Sequence, residues 1–69
     1  MTAMQVTANG ARRQLPDGLT VEQVLGQLKL RPDNVAVERN GEAVARSEFG
    51  RIEVRDGDRL EIVRAVAGG

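Results

Sequence analysis

The sequence predicts an α+β domain: a mixed sheet of four to five strands with one helix packed across one face. Three observations carry this expectation. Asn9-Gly10 and Asn40-Gly41 each separate two segments of alternating apolar and polar residues, the strongest short signal for a two-residue β-hairpin. Residues 19–30 hold one amphipathic stripe with helical spacing. The last segment, from Arg59 onward, alternates again. The element order is therefore β-β-α-β-β-β. With only one helical stripe to bury, the simplest arrangement is two layers around one core.

The first hairpin comes from residues 4–8 and 11–15. Met4, Val6 and Ala8 fall on one face, and a two-residue turn sets Ala8 opposite Ala11 and Met4 opposite Leu15, with Arg12 and Gln14 facing water. Residues 1–3 precede the alternation and read as a short leader within a single domain spanning residues 1–69. Pro16, Asp17 and Gly18 break the strand.

A helix follows at once. Thr20 caps it, Gln23 three residues on completes a capping box, and Leu19 staples onto Val24. Val21, Val24, Leu25 and Leu28 repeat at i, i+3, i+4 and i+7, which makes one buried stripe. Gly26 either costs the helix about 1 kcal/mol relative to alanine or allows close approach to the sheet. The end is expected near Lys29, with Leu30 still packing and Arg31-Pro32 stopping the helix.

Residues 35–39 and 42–45 form the second hairpin. Val37 faces Val44 inward, and Arg39 and Glu42 flank the turn as an opposite-charge pair. The stretch 46–55 is less regular. Phe49, the single aromatic residue, plugs one end of an otherwise aliphatic core, while Ile52 and Val54 alternate as if half buried. Asp56, Gly57 and Asp58 make a tight turn; two acids on one loop are weak evidence for a metal. The final strand puts Leu60 and Ile62 on one face and Glu61, Val63 and Ala65 on the other. Its apolar alternation places it between the two hairpins.

Composition excludes several function classes. The chain has 69 residues, no cysteine and no histidine. That removes thiol nucleophiles, disulfides, thiolate zinc sites, the commonest general base and the commonest metal ligand. No P-loop or GxGxxG motif is present. Ten basic and ten acidic residues interleave to zero net charge, and there is one aromatic. This argues against nucleic acid and anionic membrane as partners. No apolar run is long enough to span a bilayer and no signal-peptide core is visible, so a cytoplasmic protein is expected. No cofactor or metal is expected on the chain itself. No self-complementary apolar patch stands out beyond a small one near the C-terminus, so a monomer is expected.

The C-terminus remains. Val66, Ala67, Gly68 and Gly69 form a flexible tail in this reading, ending in a free carboxylate. Glycine has no Cβ, so a narrow channel can close around its backbone. Four extended residues reach at most about 14 Å, enough to enter a partner's active site while the domain stays outside. Val63 and Ala65, with Arg59 and Arg64 beside them, are candidates for a docking patch. Ordinary strand packing explains Val63 equally well. Arg46 reads as a solvated turn residue, and Glu22 and Glu61 as surface salt-pairing residues.

Taken together, residues 4–69 resemble the ThiS-type sulfur carriers of thiamin (thiazole) biosynthesis, within the ubiquitin-like β-grasp fold. The most specific matches are Val37-Glu-Arg-Asn-Gly-Glu42, Arg46-Ser47 and Asp56-Gly-Asp-Arg-Leu-Glu-Ile-Val63, running into Ala65-Val-Ala-Gly-Gly69. The helix start at Leu19-Thr-Val is similar too. Ala45 departs from the family, which often has proline there; a strand terminator changes, not a reactive group. The resemblance implies a carrier and not an enzyme. An ATP-dependent enzyme related to ubiquitin-activating enzymes adenylates the terminal carboxylate, sulfur replaces the adenylate, and thiazole synthase takes sulfur from the resulting thiocarboxylate. The modified residue is then Gly69, with Gly68 keeping the approach open. ATP and the sulfur donor are used through partners. Three alternatives stay open. One is a thiocarboxylate carrier for another pathway, such as molybdopterin synthesis or tRNA thiolation. The others are a ubiquitin-like protein modifier and an interaction module whose Gly-Gly end is accidental.

Overall fold

A computed structural model describes residues 2–64 of the chain. The strands are β1 (Ala3–Ala8), β2 (Ala11–Pro16), β3 (Val35–Arg39), β4 (Glu42–Val44) and β5 (Arg59–Arg64), with one helix, α1 (Val21–Gln27). Short 3-10 turns cover Pro32–Asn34 and Arg46–Glu48. The five strands form one sheet in the order β2-β1-β5-β3-β4. β5 lies between the hairpins as its alternation predicts, parallel to β1 and antiparallel to β3.

Both hairpins have the expected register: Ala8 opposite Ala11, Met4 opposite Leu15, Val37 opposite Val44. Their turns need positive φ at both central positions, and Asn9 (51°), Gly10 (83°), Asn40 (53°) and Gly41 (87°) supply it. β1 begins at Ala3, which pairs with Pro16, so the sheet takes in the last residue of the expected leader; Met1 lies outside the described residues.

The helix starts as expected and ends sooner. The Thr20 hydroxyl accepts from Gln23 N–H at 3.3 Å, and Gln23 Oε1 accepts from Thr20 N–H at 2.9 Å, closing the capping box. The irregular stretch then supplies acceptors for the next free donors: Val21 N–H donates to Ile52 O and Glu22 N–H to Phe49 O, both at 2.9 Å. That is why residues 46–55 carry no regular strand yet keep a fixed course. At the other end α1 stops at Gln27. Lys29 turns left-handed (φ 62°), with Lys29 N–H on Gly26 O and Leu30 N–H on Leu25 O. These two bonds are a Schellman ending, and Leu30 packs partly buried against the core behind it. Lysine at a position that favours glycine hid this ending. Gly26 serves no close approach, since a Cβ built there meets nothing within 4 Å.

The core lies between α1 and one sheet face. Met4, Val6, Leu15, Val21, Val24, Leu25, Val35, Val37, Phe49, Val54, Leu60 and Ile62 are all buried, with Leu19, Leu28, Leu30, Val44 and Ile52 packed partly against them. Each fully buried aliphatic side chain contributes about 1.5–3 kcal/mol. β5 supplies two of these residues at the centre of the sheet, so its position is fixed by packing on one face and by strands on both edges.

Candidate functional site

The chain leaves the described fold at the end of β5, so the site is built outward from that strand. Along the β3 edge, pairing runs continuously from Arg39 opposite Leu60 to Val35 opposite Arg64. Along the β1 edge it covers only Thr7 opposite Arg59 and Ala8 opposite Leu60, because β1 ends at Ala8. Two asparagine side chains from the hairpin turns complete the hold. Asn9 Nδ2 donates to Ile62 O at 2.9 Å, and Asn9 Oδ1 accepts from Ile62 N–H at 2.6 Å. Asn40 Oδ1 accepts from Arg59 N–H at 2.9 Å, and Asn40 Nδ2 donates to Asp58 Oδ1 at 3.0 Å.

Asp58 anchors the strand's beginning. Its residue is 7% exposed. Oδ2 accepts from Arg39 Nε at 2.7 Å and from Arg55 N–H at 2.8 Å. Burial acts to raise the Asp58 carboxyl, but the bonds from Arg55 N–H, Asn40 and Arg39, together with the Arg39 charge, outweigh it and hold the group below its ordinary value. The turn at 56–58 is thus a turn, as expected, and also a charged knot tying the second hairpin to β5. Arg39 faces Glu42 in register, yet its ion pair is with Asp58. The neighbouring acid, Asp56, accepts from Gln5 N–H at 2.7 Å through Oδ1, which fastens the same loop to β1.

The solvent face of β5 carries Arg59, Glu61 and Val63. Val63 is 63% exposed, and its cross-strand partner is the exposed Ala36. Next along the strand, Glu61 stands opposite Glu38, both exposed. Neither Glu61 nor Glu22 is among the ion pairs of the described residues, which are Arg39–Asp58, Arg51–Glu48 and Arg55–Glu53. Arg59 shares the face of Val63 but lies four residues back, about 13 Å along a strand. It lines an open groove of about 470 Å³ with Glu38, Asn40, Gly41, Gly57 and Glu61. Arg64 is exposed and falls by alternation on the opposite face. Among the described residues, the same-face strand neighbours of Val63 are therefore Ala36, Glu61 and, diagonally, Glu38. Arg46 is exposed at the start of its 3-10 turn. Ala65, Val66, Ala67, Gly68 and Gly69 lie outside the described residues.

Among the described residues no group of three or more Asp or Glu is placed to hold a metal ion. No described helix is long and apolar enough to cross a membrane. Sequence reasoning missed Asn9, Asn40 and Asp58 as anchors of β5. Each was already accounted for by turn chemistry, and their partners lie up to 53 positions away.

Comparison with known proteins bears on the same strand and on the residues beyond it. The model of the ThiS family matches residues 2–69. A thiazole synthase of Paramagnetospirillum magneticum is 44% identical over 66 residues, and one of Magnetococcus marinus is 35% identical over 66. Both matches cover 96% of this chain, which spans only about a fifth (20%) of the length of either relative. The sulfur carrier protein ThiS of Escherichia coli is 33% identical over 66 residues, covering 96% of this chain and 100% of that protein. The crystal structure of the thiamine biosynthesis protein ThiS from Geobacter metallireducens superposes with a TM-score of 0.82 at 35% identity, covering 96% of this chain and all of that one. The five-stranded mixed sheet with one helix is the β-grasp arrangement of that neighbour.

Proposed function

The chain belongs to the ThiS family, and we propose that it is a sulfur carrier for thiazole formation in thiamin biosynthesis, with the C-terminal carboxylate of Gly69 as its working group. The observation that carries this reading is the family match, which runs through the Gly-Gly end. It is supported by a sheet whose central strand, β5, lies between the two hairpins and leads into residues 65–69 with their Gly68-Gly69 pair.

The chemistry starts from an ionised carboxyl, whose ordinary pKa is about 3.5. A carboxylate oxygen attacks the α-phosphorus of ATP, the α–β phosphoanhydride bond breaks and pyrophosphate leaves. A sulfide-level nucleophile then adds to the acyl carbon and AMP departs, leaving a thiocarboxylate. Adenylation is needed because the carboxylate offers sulfur no leaving group. The chain has neither cysteine nor histidine to run either step, so an adenylating enzyme of the ubiquitin-activating type supplies ATP chemistry. This protein acts as its co-substrate. Gly68, Ala67 and Val66 enter the partner's channel, and Val63 with Ala65 docks beside its mouth. Arg59, on the same face but about 13 Å back along the strand, contributes charge at the far end of that contact, whereas Arg64 lies on the other face. The acceptor is thiazole synthase. The two relatives that bear that name and contain a segment like this chain favour it over the molybdopterin and tRNA-thiolation pathways. The compartment is the cytoplasm, and the free protein is a monomer.

The assignment is tested in a bacterial strain that lacks its own thiazole sulfur carrier. Expression of this chain should restore growth without added thiazole, and deletion of Gly69 should abolish the rescue while the protein still folds. A folded, expressed chain that fails to rescue, alongside a working control carrier, refutes the thiazole assignment.

A further inference from the structure

We propose that Asn9 is a positioning residue for the C-terminal tail: its carboxamide stands in for a strand residue beside Ile62 and fixes the direction in which β5 leaves the sheet. This rests on the carrier reading above. β1 contributes its last strand pair at Ala8 opposite Leu60, after which the first hairpin turns away. Asn9 N–H still reaches Leu60 O at 2.9 Å. One step on, the backbone of β1 is gone and the Asn9 side chain takes over, accepting from Ile62 N–H and donating to Ile62 O. That is the pair of bonds a strand neighbour would make. Without it, Ile62 to Arg64 would be held by β3 alone, and the part-buried Ile62 peptide groups facing β1 would lose their partners.

Ala65 is the third residue after Ile62, so the clamp lies at the root of the tail. Five residues from Ala65 to Gly69 span at most about 17 Å, so the clamp lies within that reach of the carboxylate. Carboxyl transfer to ATP needs the reacting atoms in near-attack geometry, where about 1 Å of misplacement can cost up to a hundredfold in rate. Turn chemistry alone does not require asparagine at position 9. Glycine satisfies the positive φ equally well, so Asn9→Gly removes the clamp and keeps the turn.

The test uses the full chain with Asn9→Gly, Asn9→Asp and, as a control of comparable stability loss far from the tail, Gln23→Ala in the helix cap. Asn9→Asp keeps an acceptor for Ile62 N–H but sets a carboxylate against Ile62 O. Amide exchange read by NMR should be about fivefold to tenfold faster at Ile62 in Asn9→Gly, the loss of roughly one net hydrogen bond, and less affected in Asn9→Asp, which keeps an acceptor for that N–H. It should be unchanged there in Gln23→Ala. ATP–pyrophosphate exchange by the adenylating enzyme, with the carrier as varied substrate, should show kcat reduced about tenfold or more in the Asn9 variants, KM altered less, and wild-type values in the control. Wild-type kcat in Asn9→Gly despite faster Ile62 exchange would make Asn9 merely structural and overturn the proposal, as would unaltered exchange at Ile62. If the wild-type chain supports no exchange with a demonstrably active enzyme, the carrier reading fails and the positioning role with it, while Ile62 protection still reports whether the clamp exists.

Discussion

Replacing Asp58 with asparagine should remove a large share of the stability of this fold. The carboxylate accepts three bonds, from Arg39 Nε at 2.7 Å, Arg55 N–H at 2.8 Å and Asn40 Nδ2 at 3.0 Å. Asparagine offers one acceptor oxygen. Turned toward Arg39 and Arg55, it presents its own NH2 to the Asn40 NH2. Asn40 cannot flip to accommodate it without losing the bond from Arg59 N–H. Two charge-assisted contacts, from Arg39 and Arg55, are weakened and one bond is lost, where an intact hydrogen bond to a charged group contributes about 1.5–3 kcal/mol. Because the Arg39 side chain is 28% exposed and water can partly replace its partner, the net loss should fall at about 2–4 kcal/mol. Total stability for a chain of this length is about 3–10 kcal/mol, so the change is severe. Urea unfolding at pH 7 measures it, and a double-mutant cycle with Arg39→Gln isolates the ion pair.

The pH dependence follows from the same contacts. The folded Asp58 carboxyl sits below its ordinary value, so its contribution is fully present above the unfolded value of about 3.9. It is lost as pH falls through the lower folded value. The gap between wild type and Asp58→Asn should therefore close from about pH 4 downward. A gap under about 0.5 kcal/mol at pH 7, well below the cost of one bond to a charged group, or one that stays constant to pH 2, would refute the claim that the charge carries the contact.

Gly26→Ala should stabilise the protein by about 0.5–1 kcal/mol, read as a rise in thermal midpoint, because the position is exposed, helical and free of neighbours. Lys29→Gly should add about 1 kcal/mol by relieving the left-handed lysine; an unchanged midpoint would show that the Schellman ending does not hold in solution. Truncating Val24, fully buried at 0% exposure, to alanine should cost about 2 kcal/mol or more in the same unfolding assay. Appending one alanine after Gly69 should leave folding unchanged by circular dichroism and abolish sulfur loading; full loading of the extended chain would detach the function from its terminal carboxylate. Sedimentation equilibrium at micromolar concentration should return the monomer mass.

Much of this fold is legible in the sequence because its signals are local. Each Asn-Gly pair fixes a turn type and hence a register, and the capping box fixes where α1 begins. The alternation of Leu60 and Ile62 gives β5 its buried face. The helix end is not legible, because Lys29 occupies a left-handed position that sequence patterns assign to glycine. The long-range anchors are hidden for a different reason. Asn9, Asn40 and Asp58 are residues that turns select anyway, so their second role leaves no trace in composition or spacing. Arg39 shows the same limit: its cross-strand neighbour Glu42 is an obvious partner by register, but a buried carboxylate offering a short bond outcompetes an exposed one. The candidate site divides in two. Its terminal Gly68-Gly69 is visible only as sequence, whereas the face and clamps that support its root are visible only in three dimensions.

The most direct test of the central claim is intact mass spectrometry of the chain after incubation with ATP, a sulfide-level donor and the adenylating enzyme from the same cell. The expected result is a mass gain equal to exchanging one oxygen for sulfur, mapped by fragmentation to Gly69 and absent without ATP. An unchanged mass with an enzyme shown to be active on another carrier, or a sulfur gain at any residue other than Gly69, would contradict it.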